Sequence, residues 1–198
     1  DENGNFNPDN TVTRNEMAVI MSQLLNLDYD YYRGTNPFTD VPSWAAPYVA
    51  ACAAEGVTSG VSFLRSVKTG CGCDLRGKEV IVIGGGNVSM DCARTAIRLG
   101  AAKVSLFCLE KEDEMPAHPD EVREGKEEGL YVFNGWGPMA ISAKEGRADG
   151  VTFKKCTAVF DASGRFNPSY DESAQMKVHA DFVICAIGQA LSREVAAG

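Results

Sequence analysis

The stretch Lys78-Glu79-Val80-Ile81-Val82-Ile83-Gly84-Gly85-Gly86-Asn87-Val88-Ser89-Met90-Asp91 decides the fold. Val80 to Ile83 is an unbroken apolar run, the pattern of a parallel strand buried on both faces. Glycines follow, then a segment able to open a helix. Gly84, Gly86 and Ser89 fill the three small positions of G-x-G-x-x-G/A. Gly84 permits the tight turn, Gly86 lets the backbone approach a pyrophosphate, and small Ser89 lets the helix pack close to the strand. The helix N-terminus adds free N–H groups and the positive end of its dipole. Gly84, Gly85, Gly86, Asn87, Val88 and Ser89 are therefore candidate phosphate-binding residues. The plain alternative is a glycine-rich turn that binds nothing, and the strand-turn-helix context weighs against it.

A second strand supports this reading. The helix from Val88 to Leu99 closes at Gly100, and Lys103-Val104-Ser105-Leu106-Phe107-Cys108-Leu109-Glu110 follows. A dinucleotide fingerprint places an acidic residue about 20 positions on, at the ribose 2′-OH. Glu110 stands slightly later than that. A carboxylate there accepts from the 2′-OH and repels a 2′-phosphate, so the local chemistry favours NADH over NADPH. The alternative is a solvated surface glutamate, since Glu112, Asp113 and Glu114 follow.

Downstream, the pattern predicts a helix over 119–128, a third strand over 130–133, and an antiparallel meander over 140–143, 150–160 and 175–179. Turns fall at Glu145-Gly146 and Ala162-Ser163-Gly164, and the last parallel strand spans 180–186. Loops at the carboxyl ends of parallel strands line the nucleotide crevice, which adds Ala186, Ile187 and Gly188 to the candidate site.

The first sixty residues differ in kind. They hold eight acidic residues and two basic ones, Arg14 and Arg33, for a net charge of −6 out of −8 for the whole chain. Six of the seven cysteines lie after residue 60. Such a break marks a domain boundary, giving segments 1–60 and 61–198. The first segment reads as two helices. Thr13 and Glu16 form a capping box for one, with Met17, Ile20, Met21, Leu24 and Leu25 on its apolar face. The other runs from Ser43 to Glu55, with Trp44, Tyr48, Val49 and Cys52 on one side and Gly56 at its C′ position.

Several separated motifs carry a resemblance. Gly84 to Ala96, Glu114-Met115-Pro116-Ala117 and Ala180 to Gln189, preceded by Gly60 to Val67, are similar to the pyridine-nucleotide domain of glutamate-synthase small-subunit-like flavoproteins. That likeness implies an α/β fold: a Rossmann-like dinucleotide-binding domain with an inserted antiparallel meander, here preceded by a small helical segment. It implies a reductase passing a hydride from NAD(P)H to FAD. Many members carry Tyr-Arg-Arg where this chain has Cys108, Leu109 and Glu110, and those arginines suit a 2′-phosphate. The FAD halves that flank the domain in that family are not read in these residues. Bound FAD and activity alone are therefore not expected, unless an FAD domain or a second copy of the chain supplies what is missing.

Thr13-Arg14-Asn15-Glu16, Phe38-Thr39-Asp40-Val41 and Trp44-Ala45 resemble the S-layer homology module, which anchors proteins to cell-wall polymers. By that resemblance Arg14 meets an anionic glycan group and Trp44 stacks beside it. Arg14 serves equally well in a pair with Glu16, and Trp44 as core. A cell-wall anchor carrying the α/β part as cargo is thus the competing function. One module is extracellular by habit and the other cytoplasmic, which suggests a chimera.

Other classes recede. Cys71-Gly72-Cys73 has no partner pair at zinc spacing and no histidine near it, so no metal is expected. Cys92, Cys108 and Cys185 read as buried thiols of a reducing compartment. Neither His118 nor His179 sits in a catalytic motif, and no catalytic residue is assigned. Net acidity disfavours nucleic acid, and no apolar run is long enough to cross a membrane.

Overall fold

The computed structural model describes residues 18–19, 22, 29–34, 42–54, 56–70, 74–145 and 147–187. In chain order these form α1 (Ala46–Ala54), β1 (Val57–Ser59), α2 (Gly60–Lys68), β2 (Glu79–Ile83), α3 (Asn87–Arg98), β3 (Lys103–Cys108), α4 (Pro119–Glu127), β4 (Tyr131–Asn134), β5 (Trp136–Lys144), β6 (Arg147–Phe160), β7 (Phe166–His179) and β8 (Phe182–Cys185). Five strands make a parallel sheet in the order β1-β8-β2-β3-β4. The other three make an antiparallel sheet in the order β5-β6-β7. The fold class is the expected one: a parallel α/β sheet with an inserted antiparallel meander.

Alternation along β2 explains the layering. Successive side chains of a strand point to opposite faces. Val80 and Val82 meet Met90, Ala93 and Ala96 of α3, together with Val104, Leu106 and Phe63. Ile81 and Ile83 face the other way, onto Phe107, Val183 and the meander residues Val151 and Phe153. A strand covered on both faces must be apolar at every position, as this run is. On the meander side Phe107 stacks between Phe133 and Phe153, with ring centroids 4.6 Å and 3.9 Å away.

The helices have local causes. Ser59 caps α2, its side chain accepting from Ser62 N. Pro119 opens α4, where a missing N–H is harmless. Gly100 and Gly129 follow α3 and α4 at φ +86° and +101°, the left-handed conformation that ends helices.

Four expectations are corrected. The helix expected from Ser43 begins at Ala46, because Pro42 O accepts from both Ala45 N and Ala46 N in a preceding turn. Trp44 lies in that turn and is 55% exposed, so it is not core; Ala45, Ala46, Val49, Ala50 and Cys52 form the buried face instead. The parallel sheet starts before residue 60: Val57, Thr58 and Ser59 pair with Val183, Ile184 and Cys185. Ala51, Cys52 and Val57 share a core with Ile81, Phe107 and Val183. Meander strands are longer than expected. Register shifts at Pro138/Ala140, Ser142/Ala143, Lys154/Lys155 and Cys156/Ala158 break the two-residue period that would have shown their length. Pro168 is tolerated in β7 because that strand is a sheet edge. The helix expected around Met17, Ile20 and Leu24, the turn residue Gly146, the pair Cys71 and Cys73, and the candidates Arg14 and Gly188 lie outside the described residues.

Candidate functional site

Strands β2 and β8 end side by side, with Ile83 opposite Cys185. From β2 the chain continues to β3 on one side, while β8 and β1 lie on the other. A crevice at such a reversal is where open α/β sheets bind ligands. The glycine turn sits there.

Its glycines do different work. Gly84 has φ +138°, and a Cβ on it would lie 2.5 Å from both Ala186 O and Ser89 Oγ. Around it Gly84 N donates to Phe107 O (2.9 Å) and Ala186 N to Ile83 O (2.8 Å). Buried Ser89 donates to Ala186 O at 3.3 Å. Gly84, Ser89 and Ala186 are therefore one packed knot joining strand, helix and the exit of β8. Gly86 is the opposite case. Its φ is −94°, and a Cβ there would meet nothing within 4 Å. It stands at the N-cap of α3, where no side chain caps the first N–H groups.

Neighbouring loops brace the turn. Ala117 N donates to Gly85 O at 3.0 Å, and His118 N to Asn87 Oδ1 at 2.8 Å. Asn87 thus has its side-chain oxygen committed to the loop before α4. Val88 packs its side chain into the core with α3. Ile187 is 45% exposed just beyond the knot.

Glu110 reaches the same turn from the end of β3. A Cβ added to Gly85 would lie 2.6 Å from Glu110 Oε2 and 3.1 Å from Cys108 Cβ. Among the described residues no donor reaches the Glu110 carboxylate. Its backbone carbonyl, by contrast, accepts from Gly135 N at 3.0 Å and from the Asn134 amide at 3.3 Å. Asn134 had no signal in the sequence, since its role depends on which strand pairs with β3.

The thiols near the crevice are free and buried. Burial, with the Glu110 charge adding, pushes Cys108 up to about 12. Burial likewise raises Cys92 and Cys185 to about 12, Asp91 contributing at Cys92. Among the described residues no cluster of three or more His, Cys, Asp or Glu side chains could hold a metal ion. Among them, too, no helix is long and apolar enough to cross a membrane.

Fold and turn together are those of a Rossmann-type α/β domain. Comparison with known proteins agrees. Over 139 residues the chain is 40% identical to the NADP(+)-dependent formate dehydrogenase subunit beta of Moorella thermoacetica, a match covering 68% of this chain and 19% of that protein. It is 39% identical over 116 residues to the glutamate synthase [NADPH] small chain of Halomonas elongata, covering 58% and 24% respectively. Against the NADPH-Fe(3+) oxidoreductase subunit beta of Geobacter sulfurreducens it is 37% identical over 134 residues, covering 66% and 20%. The chain thus spans about a fifth to a quarter of these relatives. Among solved structures, Mycobacterium tuberculosis FprA in complex with NADPH superposes at TM-score 0.56 with 14% identity, over 77% of this chain and 47% of that one. Lactococcus lactis thioredoxin reductase superposes at 0.51 with 18% identity, over 78% and 42%. At these identities the superpositions speak for the fold alone. The S-layer homology domain matches residues 1–18 and 37–63, a span that runs past β1 into α2.

Proposed function

We propose that this chain binds a nicotinamide dinucleotide at the Gly84–Gly86 turn, as the pyridine-nucleotide domain of a flavoprotein oxidoreductase. The observation that carries this is the pairing of an uncapped helix start with open space at Gly86 and a carboxylate at Gly85. A pyrophosphate fits the first two: α3 offers unpaired N–H groups and its positive dipole end, with no side chain in the way. The adenosine ribose fits the third. Glu110 accepts from its 2′-hydroxyl and repels a 2′-phosphate, so NADH is preferred over NADPH. The relatives' names carry NADPH or NADP(+), and the NADH preference rests on Glu110 alone.

When bound, the reduced dinucleotide supplies a hydride. Residues of this chain bind and orient it; none is assigned to the chemistry. The flavin implied by the resemblance has no second strand-glycine-helix unit among the described residues. An FAD domain or a second copy of the chain is its proposed source, and the purified chain is expected to be colourless. Segment 61–198 is the proposed nucleotide domain, although β1 and α1 complete its sheet and core. Its proposed compartment is the cytoplasm.

The match to the S-layer homology domain favours a second reading, attachment to cell-wall polymer through the N-terminal segment. Trp44, exposed before α1, is free to stack on a sugar in that reading. Calorimetric titration with NADH, with Gly86→Val as the control, tests the first; pull-down with cell-wall sacculi tests the second.

A further inference from the structure

The Glu110 carboxylate has no hydrogen-bond donor of its own among the described residues, yet its Oε2 lies only 2.6 Å from where a Cβ on Gly85 would sit. The hydrogen bonds at residue 110 are made to its backbone carbonyl, from donors on and just after the neighbouring strand. Asn134 ends β4, in register with Cys108 at the end of β3. Its amide donates to Glu110 O at 3.3 Å and to Cys108 Sγ at 3.3 Å. Gly135 N donates to the same Glu110 carbonyl at 3.0 Å, and the Cys108 thiol approaches it at 3.7 Å. Asn134 is itself held: its own carbonyl accepts from Lys155 Nζ at 3.4 Å, and that ammonium lies 5.0 Å from the Trp136 ring centroid.

Resting on the assignment of Glu110 to the ribose, we infer that Asn134 is a positioning residue for nucleotide selection. It clamps the Glu110 backbone so that the carboxylate stands over Gly85. Residue 110 lies beyond the last paired residue of β3, so its direction is not set by the sheet ladder. The converging donors on one carbonyl replace that ladder. Without the amide, the Glu110 carbonyl keeps only the Gly135 bond and the weak thiol contact, and the carboxylate loses its defined place.

The test is a double-mutant cycle on the full 198-residue chain. Dissociation constants for NADH and NADPH are measured by calorimetry for the parent chain, Asn134→Leu, Glu110→Ala and the combination. Asn134→Leu is expected to weaken NADH about fivefold, the size of one hydrogen bond, and to leave NADPH within about twofold. In the Glu110→Ala background the same change should do nothing further, because there is no carboxylate left to place. If Asn134→Leu lacks a cooperative melt, Asn134→Ser is read in its place. Equal losses with and without Glu110, or equal losses for both nucleotides, would make Asn134 a merely structural residue and overturn the proposal. If Glu110→Ala alone leaves NADH binding unchanged, the ribose assignment itself fails, and the positioning role falls with it.

Discussion

Glu110 closes over Gly85: the carboxylate Oε2 lies 2.6 Å from where a Cβ on that glycine would sit. The two residues come from different strands' ends, 25 positions apart in the chain, and the parallel pairing of Ile83 with Phe107 brings them together. The turn proposed for the phosphates and the carboxylate proposed for the ribose thereby share one crevice. A side chain at position 85 would have to displace the acid.

Substitutions at the two outer glycines should separate folding from binding. Gly86→Val meets open space at an ordinary φ, so it should melt within a few degrees of the parent chain. It should bind no dinucleotide, because its side chain fills the path of the pyrophosphate. Gly84→Val collides with Ala186 O and Ser89 Oγ at a left-handed φ, and should lose soluble, cooperative folding outright. Thermal melts beside NADH titrations check both. A Gly86→Val chain that still binds NADH would remove the turn from the site.

Charge removal at the ribose should relax selection. Glu110→Ser takes away the repulsion of a 2′-phosphate and an acceptor for the 2′-hydroxyl. NADH affinity should fall about tenfold, the scale of a hydrogen bond to a charged group, and the preference over NADPH should shrink by at least that factor. The two dissociation constants measure it, and an unchanged ratio would contradict the role.

Much of this site was legible in the sequence, because strand β2, the turn and α3 form one contiguous segment whose glycine spacing has a mechanical meaning. Observed bounds of 79–83 and 87–98 lie within a residue or so of those read from the pattern. Asn134 was not legible, since nothing near it signals that Cys108 would be its register partner. Nor was β1: three residues are too few to show a period, and the change in charge at residue 60 drew the boundary just past it. Trp44 misled for a related reason. Its spacing to Tyr48 suits a helix face, but the turn accepted by Pro42 O delays the helix until Ala46.

The N-terminal segment should depend on the sheet. α1 buries Ala51 and Cys52 against Val57 and the central strands. Among the described residues of 1–60 the other apolar cluster is Ala45, Ala46 and Val49 with Ala18, little to offset roughly 1–2 kcal/mol of backbone entropy per ordered residue. A fragment of residues 1–60 should show little helix by circular dichroism, whereas the whole chain melts as one. Val57→Asp should destabilise the intact chain by about 3 kcal/mol or more, as an unpaired charge replaces a fully buried side chain. A fragment that is helical alone and binds sacculi would promote the anchoring reading.

Alkaline pH should weaken the fold through its thiols. Burial lifts Cys52, Cys92, Cys108 and Cys185 from 9.0 to about 12. A raised folded-state value means the contribution is complete below about pH 9, where both states hold the proton, and is lost as pH climbs from 9 towards 12. Melting temperature should fall across that window, less steeply in Cys92→Ala. At pH 8 these four thiols should resist iodoacetamide until the chain is denatured, as peptide mapping would show. Rapid native alkylation of Cys92 would contradict its burial.

The most direct test is a pair of calorimetric titrations of the intact chain, one with NADH and one with NADPH. The account predicts one NADH per chain, bound more tightly than NADPH. No heat with either nucleotide would contradict dinucleotide binding at the Gly84–Gly86 turn, and tighter NADPH binding would contradict the part assigned to Glu110.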